Sequence, residues 1–160
     1  LESVETMASR LGLKVTVSDM EVTHGVADQA NADGLKVPPG SPVTRIQRVI
    51  RAEGGPVAYL VDTLPEGILH DEELPATFHG SVLDFLLARG EGLTTARANI
   101  SAIGAPTEVA RALEIQRGDV LLQFNSQVFD SNGKVVTFSY SYFIPGYFNF
   151  HVVRRVVGSP

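Results

Sequence analysis

The sequence predicts an α+β domain with a mostly antiparallel sheet, short flanking helices and an internal pseudo-two-fold repeat. Strand-like segments with period-two alternation are interrupted by short helical segments, which is typical of this fold class. Two pairs of strands are joined by the turn sequences Glu53-Gly54-Gly55 and Asn132-Gly133, which favour β-hairpins. The strand–helix–hairpin order then occurs twice along the chain.

The repeat appears when Val22–Pro56 is aligned with Ile100–Lys134, a shift of 78 positions. Identical residues recur at this shift: Ala27 and Ala105, Ala32 and Ala110, Leu35 and Leu113, Gly40 and Gly118, Gly55 and Gly133. One polar residue interrupts an apolar strand face in each copy, Arg48 in the first and Ser126 in the second. This correspondence indicates internal pseudo-symmetry.

The first half of the chain contains two predicted helices and three strands. Leu1–Leu11 predicts a helix that ends at Gly12, and residues 1–14 are expected to link to a preceding domain. Glycine and proline punctuate the rest of this half. The predicted elements are a strand at Val15–His24, a helix at Ala27–Asp33 ended by Gly34, a hairpin at Val43–Pro65, and an acidic loop or turn of helix at Glu66–Pro75.

The second half opens with the clearest helix, Ser81–Arg89. Ser81 is suited to cap its first turn, Asp84 stands where a capping box places its return partner, and Gly90 ends it. The remaining predictions are a strand at Thr95–Gly104, a helix at Thr107–Glu114, a hairpin at Val120–Phe129 and Val135–Ile144, and a final strand at Phe148–Val157.

Composition excludes several classes of function. The chain has 160 residues, a net charge of −5 and a sequence pI near 5.3, which argues against direct binding to nucleic acid or an anionic membrane. It contains no cysteine, which is compatible with a cytoplasmic location. No apolar run approaches the ~20 residues of a membrane span. Because the sequence begins at Leu1, we expect a fragment of a longer protein.

Catalytic and metal-binding patterns are missing from the sequence. The four histidines, His24, His70, His79 and His151, have no metal-ligand spacing. Ser81 lacks the flanking glycines of a nucleophile elbow, and Gly90-Glu91-Gly92 follows a helix where a dinucleotide motif would follow a strand. We therefore predict no catalytic residue, metal or cofactor.

Arg48 is the most informative single residue. It shares an alternating strand face with Thr44, Ile46 and Ile50, and an unpaired buried guanidinium costs several kcal/mol, roughly. Its partner is either an internal acid such as Asp62 or an anionic ligand. Ser81 has two interpretations as well, a simple helix cap or a group that joins Arg48 in one anion pocket.

The hairpin registers decide what surrounds Arg48. An even register places Ala58, Leu60 and Asp62 on its face, whereas a one-residue slip places Val57, Tyr59 and Val61 there. In the last hairpin, a hydroxyl row alternates with an aromatic row. The hydroxyl row either faces solvent or lines a polar cavity. Its face of the strand carries three hydroxyl residues and one phenylalanine: Thr137, Ser139, Ser141 and Phe143. The aromatic row on the other face consists of Phe138, Tyr140 and Tyr142.

Taken together, these motifs resemble the UTRA domain, the effector-binding domain of HutC-type GntR transcription regulators. The similarity covers roughly residues 15–157. Its motifs are Gly40…Val43-Thr44-Arg45-Ile46…Arg48…Gly54…Pro56, Ser81-Val82-Leu83…Leu86…Gly90, Ala110…Leu113…Gly118-Asp119…Leu121-Leu122 and Asp130…Gly133…Val136…Ser139…Phe143.

The resemblance implies a chorismate-lyase-like fold, a bound small metabolite, a homodimer and a winged-helix DNA-binding domain joined before Leu1. It also implies that Arg48 and Ser81 contact the effector's anionic group. The ligand-binding set expected on this basis is Arg48, Ser81, Ile50, Leu60, Val82, Thr137, Ser139 and Phe143.

Departures from the family pattern narrow the expected ligand. Ile50 replaces a second arginine, Leu60 an acidic residue, Thr137 a glutamate, Phe143 a tyrosine and Ile144 an arginine. A phosphosugar would find too few polar partners in such a pocket. We therefore expect a smaller or more apolar monoanion, such as a carboxylate. The alternatives are a chorismate-lyase-like enzyme and a dimerisation module without a ligand.

Overall fold

Six strands form one antiparallel sheet whose order, β1-β2-β3-β6-β5-β4, mirrors the sequence repeat. The computed structural model describes residues 3–69, 78 and 80–151. The strands are β1 Val15–Val26, β2 Pro42–Ala52, β3 Gly55–Pro65, β4 Leu93–Gly104, β5 Val120–Asp130 and β6 Val135–Phe143. The helices in the described residues are α1 Val4–Arg10, α2 Gln29–Leu35, α3 Val82–Ala88 and α4 Thr107–Ala112.

The two halves have the same topology, and equivalent backbone hydrogen bonds form within each of them. Ala27 N donates to Ser41 O at 2.8 Å, and Ala105 N donates to Asp119 O at 2.8 Å. Each of these pairs recurs at the shift of 78 positions. The strand–helix–hairpin unit is therefore built twice, and β3 pairs with β6 at the centre of the sheet.

Alternating side chains send the strands' apolar residues to both faces of the sheet. Val43 and Val49 of β2 pack with residues of α2 and α4, respectively. Ile46 and Ile50 lie on the other face of the sheet and pack with residues of α3 and α1, respectively. The helices thus cover both faces, which confirms the predicted α+β class and leaves Arg48 on the α1/α3 face.

Side-chain caps define the helix starts. Ser81 Oγ accepts a hydrogen bond from Asp84 N at 3.0 Å, as predicted for an N-cap. A hydrogen bond found for the Asp84 carboxylate leads to another helix, since its Oδ2 accepts from Ser3 Oγ at 2.6 Å. This contact joins α3 to α1 across 81 positions of sequence.

Two predicted boundaries were wrong. Asp28 caps α2, so this helix begins at Gln29, runs through Gly34 and ends at Leu35, and the following C-cap residue, Lys36, is in the left-handed conformation. The final strand was predicted at Phe148–Val157, but residues 148–151 are not a strand, and 152–157 lie outside the described residues. The aromatic rings of Phe148 and Phe150 instead pack on Phe143. Of the predicted turn at Glu66–Pro75, residues 70–75 also lie outside the described part of the chain.

Gly34 is required by packing. A Cβ atom at Gly34 would overlap the ring of Phe138 on β6, although the helical conformation itself suits alanine. We expect Gly34→Ala to lower the free energy of unfolding by about 1–3 kcal/mol, because overpacking outweighs the gain in helix propensity. Urea denaturation measures this. Gly25→Ala is the control, since its Cβ would meet no atom within 4 Å. Equal stability of the two variants would contradict the packing argument.

Tyr59 lies on the α4 face and is 5% exposed. Its hydroxyl is within hydrogen-bond distance of Gln47 Oε1, at 3.1 Å, and of Glu108 Oε1, at 3.3 Å. Burial, together with the negative charge of Glu108, raises the pKa of Tyr59 to about 12. The folded state therefore holds the phenolic proton more tightly than the unfolded chain does.

This shift predicts a loss of stability in alkali. The contribution of Tyr59 is fully present below about pH 10, its ordinary pKa, and is lost as the pH rises toward 12. Denaturation curves at several alkaline pH values should show a steeper loss for the unmodified chain than for Tyr59→Phe. Tyr147→Phe, at a residue that is 42% exposed, should retain the steep loss. Parallel profiles for all three proteins would exclude Tyr59 as the cause.

Candidate functional site

Arg48 is held at the centre of the α1/α3 face by a partly buried acid, Asp62. The Arg48 side chain is 5% exposed, and Nη1 donates to Asp62 Oδ2 at 2.5 Å. Asp62 Oδ1 in turn accepts a hydrogen bond from Ser139 Oγ of β6. Arg48 stands opposite Leu60 in the β2–β3 ladder, so the even register is the one that forms. This register places Asp62 on the same face as Arg48.

A second carboxylate approaches Arg48 from the N-terminal helix. Glu5 Oε1 of α1 lies 3.5 Å from Arg48 Nε, a longer contact than the one to Asp62. The other oxygen, Glu5 Oε2, is buried without a hydrogen-bond partner. Arg48 therefore lies between two acids. Among the described residues, its Nη2 has no hydrogen-bond acceptor.

These groups border a cavity of about 310 Å³. It lies between the sheet and helices α1 and α3. Seven of the eight expected ligand-binding residues line it: Arg48, Ser81, Leu60, Val82, Thr137, Ser139 and Phe143. The eighth, Ile50, is fully buried in the core beside Ala8. The role of all eight in ligand binding stays a prediction.

The hydroxyl row of β6 faces this cavity. Thr137, Ser139 and Ser141 line it together with Ser126, the counterpart of Arg48 in the second repeat. The aromatic row takes the opposite face, where Phe138 packs with α2, and Tyr140 and Tyr142 with residues of α4. Apolar walls come from Leu60, Phe124 and Phe143. The cavity thus has a charged end, a band of hydroxyls and an apolar side.

Sequence reasoning missed Glu5, although its helix was predicted. Glu5 borders the apolar face of α1, three positions before the fully buried Ala8. An acid beside a buried helical stripe was the available signal. Phe124, Ala96 and Ala98 were also missed as lining residues, because only the sheet order brings β4 and β5 to the cavity.

The cavity's polar groups suit recognition of a small polar molecule. They are a guanidinium, carboxylates and hydroxyls, which together can bind charged and hydroxylated groups. Among the described residues, no cluster of three or more histidine, aspartate or glutamate side chains could hold a metal ion. Nor does that part of the chain contain a helix of the length and hydropathy that a membrane crossing requires.

Comparison with known proteins agrees with this geometry. The model of the UTRA domain family matches residues 10–149. No curated protein matches the chain. A putative transcriptional regulator from Streptomyces coelicolor is 29% identical, with a TM-score of 0.73 over 89% of this chain and 100% of that one.

Two further solved structures show the same fold at lower identity. PhnF from Mycobacterium smegmatis is 21% identical, with a TM-score of 0.85 over 98% of this chain and 70% of that one. The ligand-binding domain of a putative GntR-family transcriptional regulator from Bordetella bronchiseptica is 19% identical, with a TM-score of 0.77 over 89% and 90%.

The family match spans most of the chain, and the antiparallel sheet with short flanking helices is the α+β fold expected from the resemblance. The chain belongs to the UTRA domain family and is a ligand-binding regulatory domain.

Proposed function

We propose that this domain senses a small anionic metabolite for a HutC-type GntR transcription regulator. The regulator acts as a homodimer in the cytoplasm and contacts DNA only through a winged-helix domain joined ahead of residue 1. Solved relatives described as transcriptional regulators support this proposal. The acidic net charge of −5 supports the assignment of DNA binding to another domain.

The observation that carries the proposal is the guanidinium of Arg48 at the cavity wall. Arginine stays charged at any physiological pH, and a low-dielectric cavity strengthens its attraction for an anion. Nη2 still has a donor to offer a carboxylate. One guanidinium and apolar walls suit a monoanion with an apolar body, since Ile50 brings no second charge to the cavity.

The residues that line the cavity are also consistent with ligand binding without catalysis. The solved relatives are described as regulators, and no histidine is among the described residues that line the cavity, a set that does not include His70 and His79. We therefore propose that the domain binds its ligand without converting it, in contrast to a chorismate-lyase-like enzyme. Release of product from chorismate by the purified chain would contradict this.

A thermal-shift screen tests the sensor. The panel contains phosphosugars, amino acids, and aromatic and aliphatic carboxylates. A carboxylate at 100 times its dissociation constant should add ~2.7 kcal/mol to the free energy of unfolding. The response should disappear in Arg48→Ala and weaken in Arg48→Lys, which keeps the charge but loses the planar fork. Arg45→Ala, on the same strand but the opposite face, should respond normally.

The other outcomes discriminate among the proposals. A phosphosugar that binds through Arg48 would keep the sensor and exclude the monoanion. A carboxylate response that survives in Arg48→Ala would place the effector elsewhere. No response from a broad panel would favour a dimerisation module without a ligand.

The pair of Arg48 and Asp62 is the observation that favours such a module, because it satisfies the arginine internally. Whatever the ligand, we expect Asp62→Ala to lower the free energy of unfolding by about 3 kcal/mol, since it leaves a buried guanidinium without its closest acid. Glu114→Ala removes the exposed partner of Arg51, at 2.7 Å, and should change stability little. Denaturant titration compares the two. Similar losses of unfolding free energy in Asp62→Ala and Glu114→Ala would mean that water, and not Asp62, stabilises the charge of Arg48.

A further inference from the structure

We propose that Glu5 is a built-in competitor for the effector's anion. In this arrangement, the ligand's carboxylate replaces the Glu5 carboxylate on Arg48, and helix α1 moves away from the cavity. This inference rests on the proposed function and adds the residue that opposes binding. It also identifies how the occupied site differs from the empty one.

The carboxylate of the ligand and the carboxylate of Glu5 cannot both bind Arg48, because their negative charges would add up in one site. Among the described residues that line it, the cavity holds two carboxylates, Glu5 and Asp62, around one guanidinium, that of Arg48. A third carboxylate would add an uncompensated negative charge to a buried site, which is strongly unfavourable. Exchange of one carboxylate for another keeps the local charge constant. An anionic ligand therefore binds Arg48 when one of the two acids leaves.

Glu5 is the acid that leaves. Its contact with Arg48 is 3.5 Å, against 2.5 Å for Asp62, and Asp62 is also held by Ser139. Glu5 Oε2 is buried without a hydrogen-bond partner, so the docked state carries a desolvation cost that solvent would relieve. Asp62 lies within a strand of the sheet, whereas Glu5 lies on a seven-residue helix.

Movement of Glu5 is transmitted to α1 because Glu5 is part of this short helix. Helix α1 is also held by a hydrogen bond from Ser3 Oγ to Asp84 Oδ2 at 2.6 Å, by a longer one from Thr6 Oγ1 to the same atom, and by packing of Val4, Met7 and Ala8 against the core. The UTRA family match begins at Arg10, so Glu5 lies ahead of the matched region. The competitor thus lies in the N-terminal segment, outside the region that the family model matches, and it sets the response of this chain to the effector.

Matched probes test the exchange. Benzoate and benzylamine share a ring that the apolar walls can accept, but they carry opposite charges. We expect Glu5→Gln to bind benzoate about tenfold more tightly than the unmodified chain, because the competing state no longer lowers the competent fraction. Glu21→Gln makes the same change of net charge on β1, away from the cavity, and should leave the benzoate affinity unchanged.

Helix movement has its own readout. The chain has no cysteine, so Ser9→Cys on the exposed side of α1 gives a unique site for a spin label. Its mobility should rise when benzoate is added to the Glu5-containing protein. It should rise without ligand when Glu5→Gln is introduced. A label that stays immobile in both cases overturns the proposed movement.

The remaining results separate this inference from the proposed function. If benzoate binds the unmodified chain and Glu5→Gln with equal affinity, and if this binding weakens in Arg48→Lys, the anion sensor stands and competition by Glu5 is overturned. If benzylamine binds the unmodified chain and Glu5→Gln abolishes that binding, Glu5 is a ligand-binding group for a cation. This result also overturns competition by Glu5. Failure of benzoate to bind either protein contradicts both the exchange and a carboxylate site.

Discussion

The ion pair between Arg48 and Asp62 is the constraint around which the α1/α3 face is organised. A guanidinium cannot lose its charge, so its burial in the middle of a strand requires an acid on the next strand at the matching register. Ser139 then ties that acid to β6. The three central strands are therefore linked by one polar network, which also fixes the polarity of the cavity above them.

The repeat explains the shape of the site, and its asymmetry explains the chemistry. Two copies of a strand–helix–hairpin unit meet at the β3–β6 pair and give a continuous sheet. The first copy contributes Arg48, and the second contributes Ser126 at the equivalent position. A symmetric scaffold thereby acquires one charged half and one hydroxylated half. Such a cavity orients a ligand that has an anionic end.

The N-terminal helix, α1, is part of the site because its residues contact the groups around the cavity. Ser3 bonds Asp84 of α3, Glu5 approaches Arg48, and Ala8 lies in the core. These contacts cover the cavity with a short helix whose intrinsic stability is low. Its position is consequently set by tertiary contacts, and the proposed exchange at Arg48 acts on one of them.

The sequence by itself determined the elements whose signals are local. Period-two alternation located the strands, glycine-containing turns placed both hairpins, and Ser81 was identified correctly as a helix cap. Arg48 was conspicuous because one charge on an apolar strand face needs a partner. Only the tertiary structure decided which partner, because Asp62, Ser139 and Glu5 come from separate elements. It also decided that Gly34 lies inside a helix and that Phe148 packs outside a strand. Gly34 lies beside the ring of Phe138, which is far away in sequence, and Phe148 packs on Phe143, five positions earlier. Neither contact leaves a periodic trace in the segment that makes it.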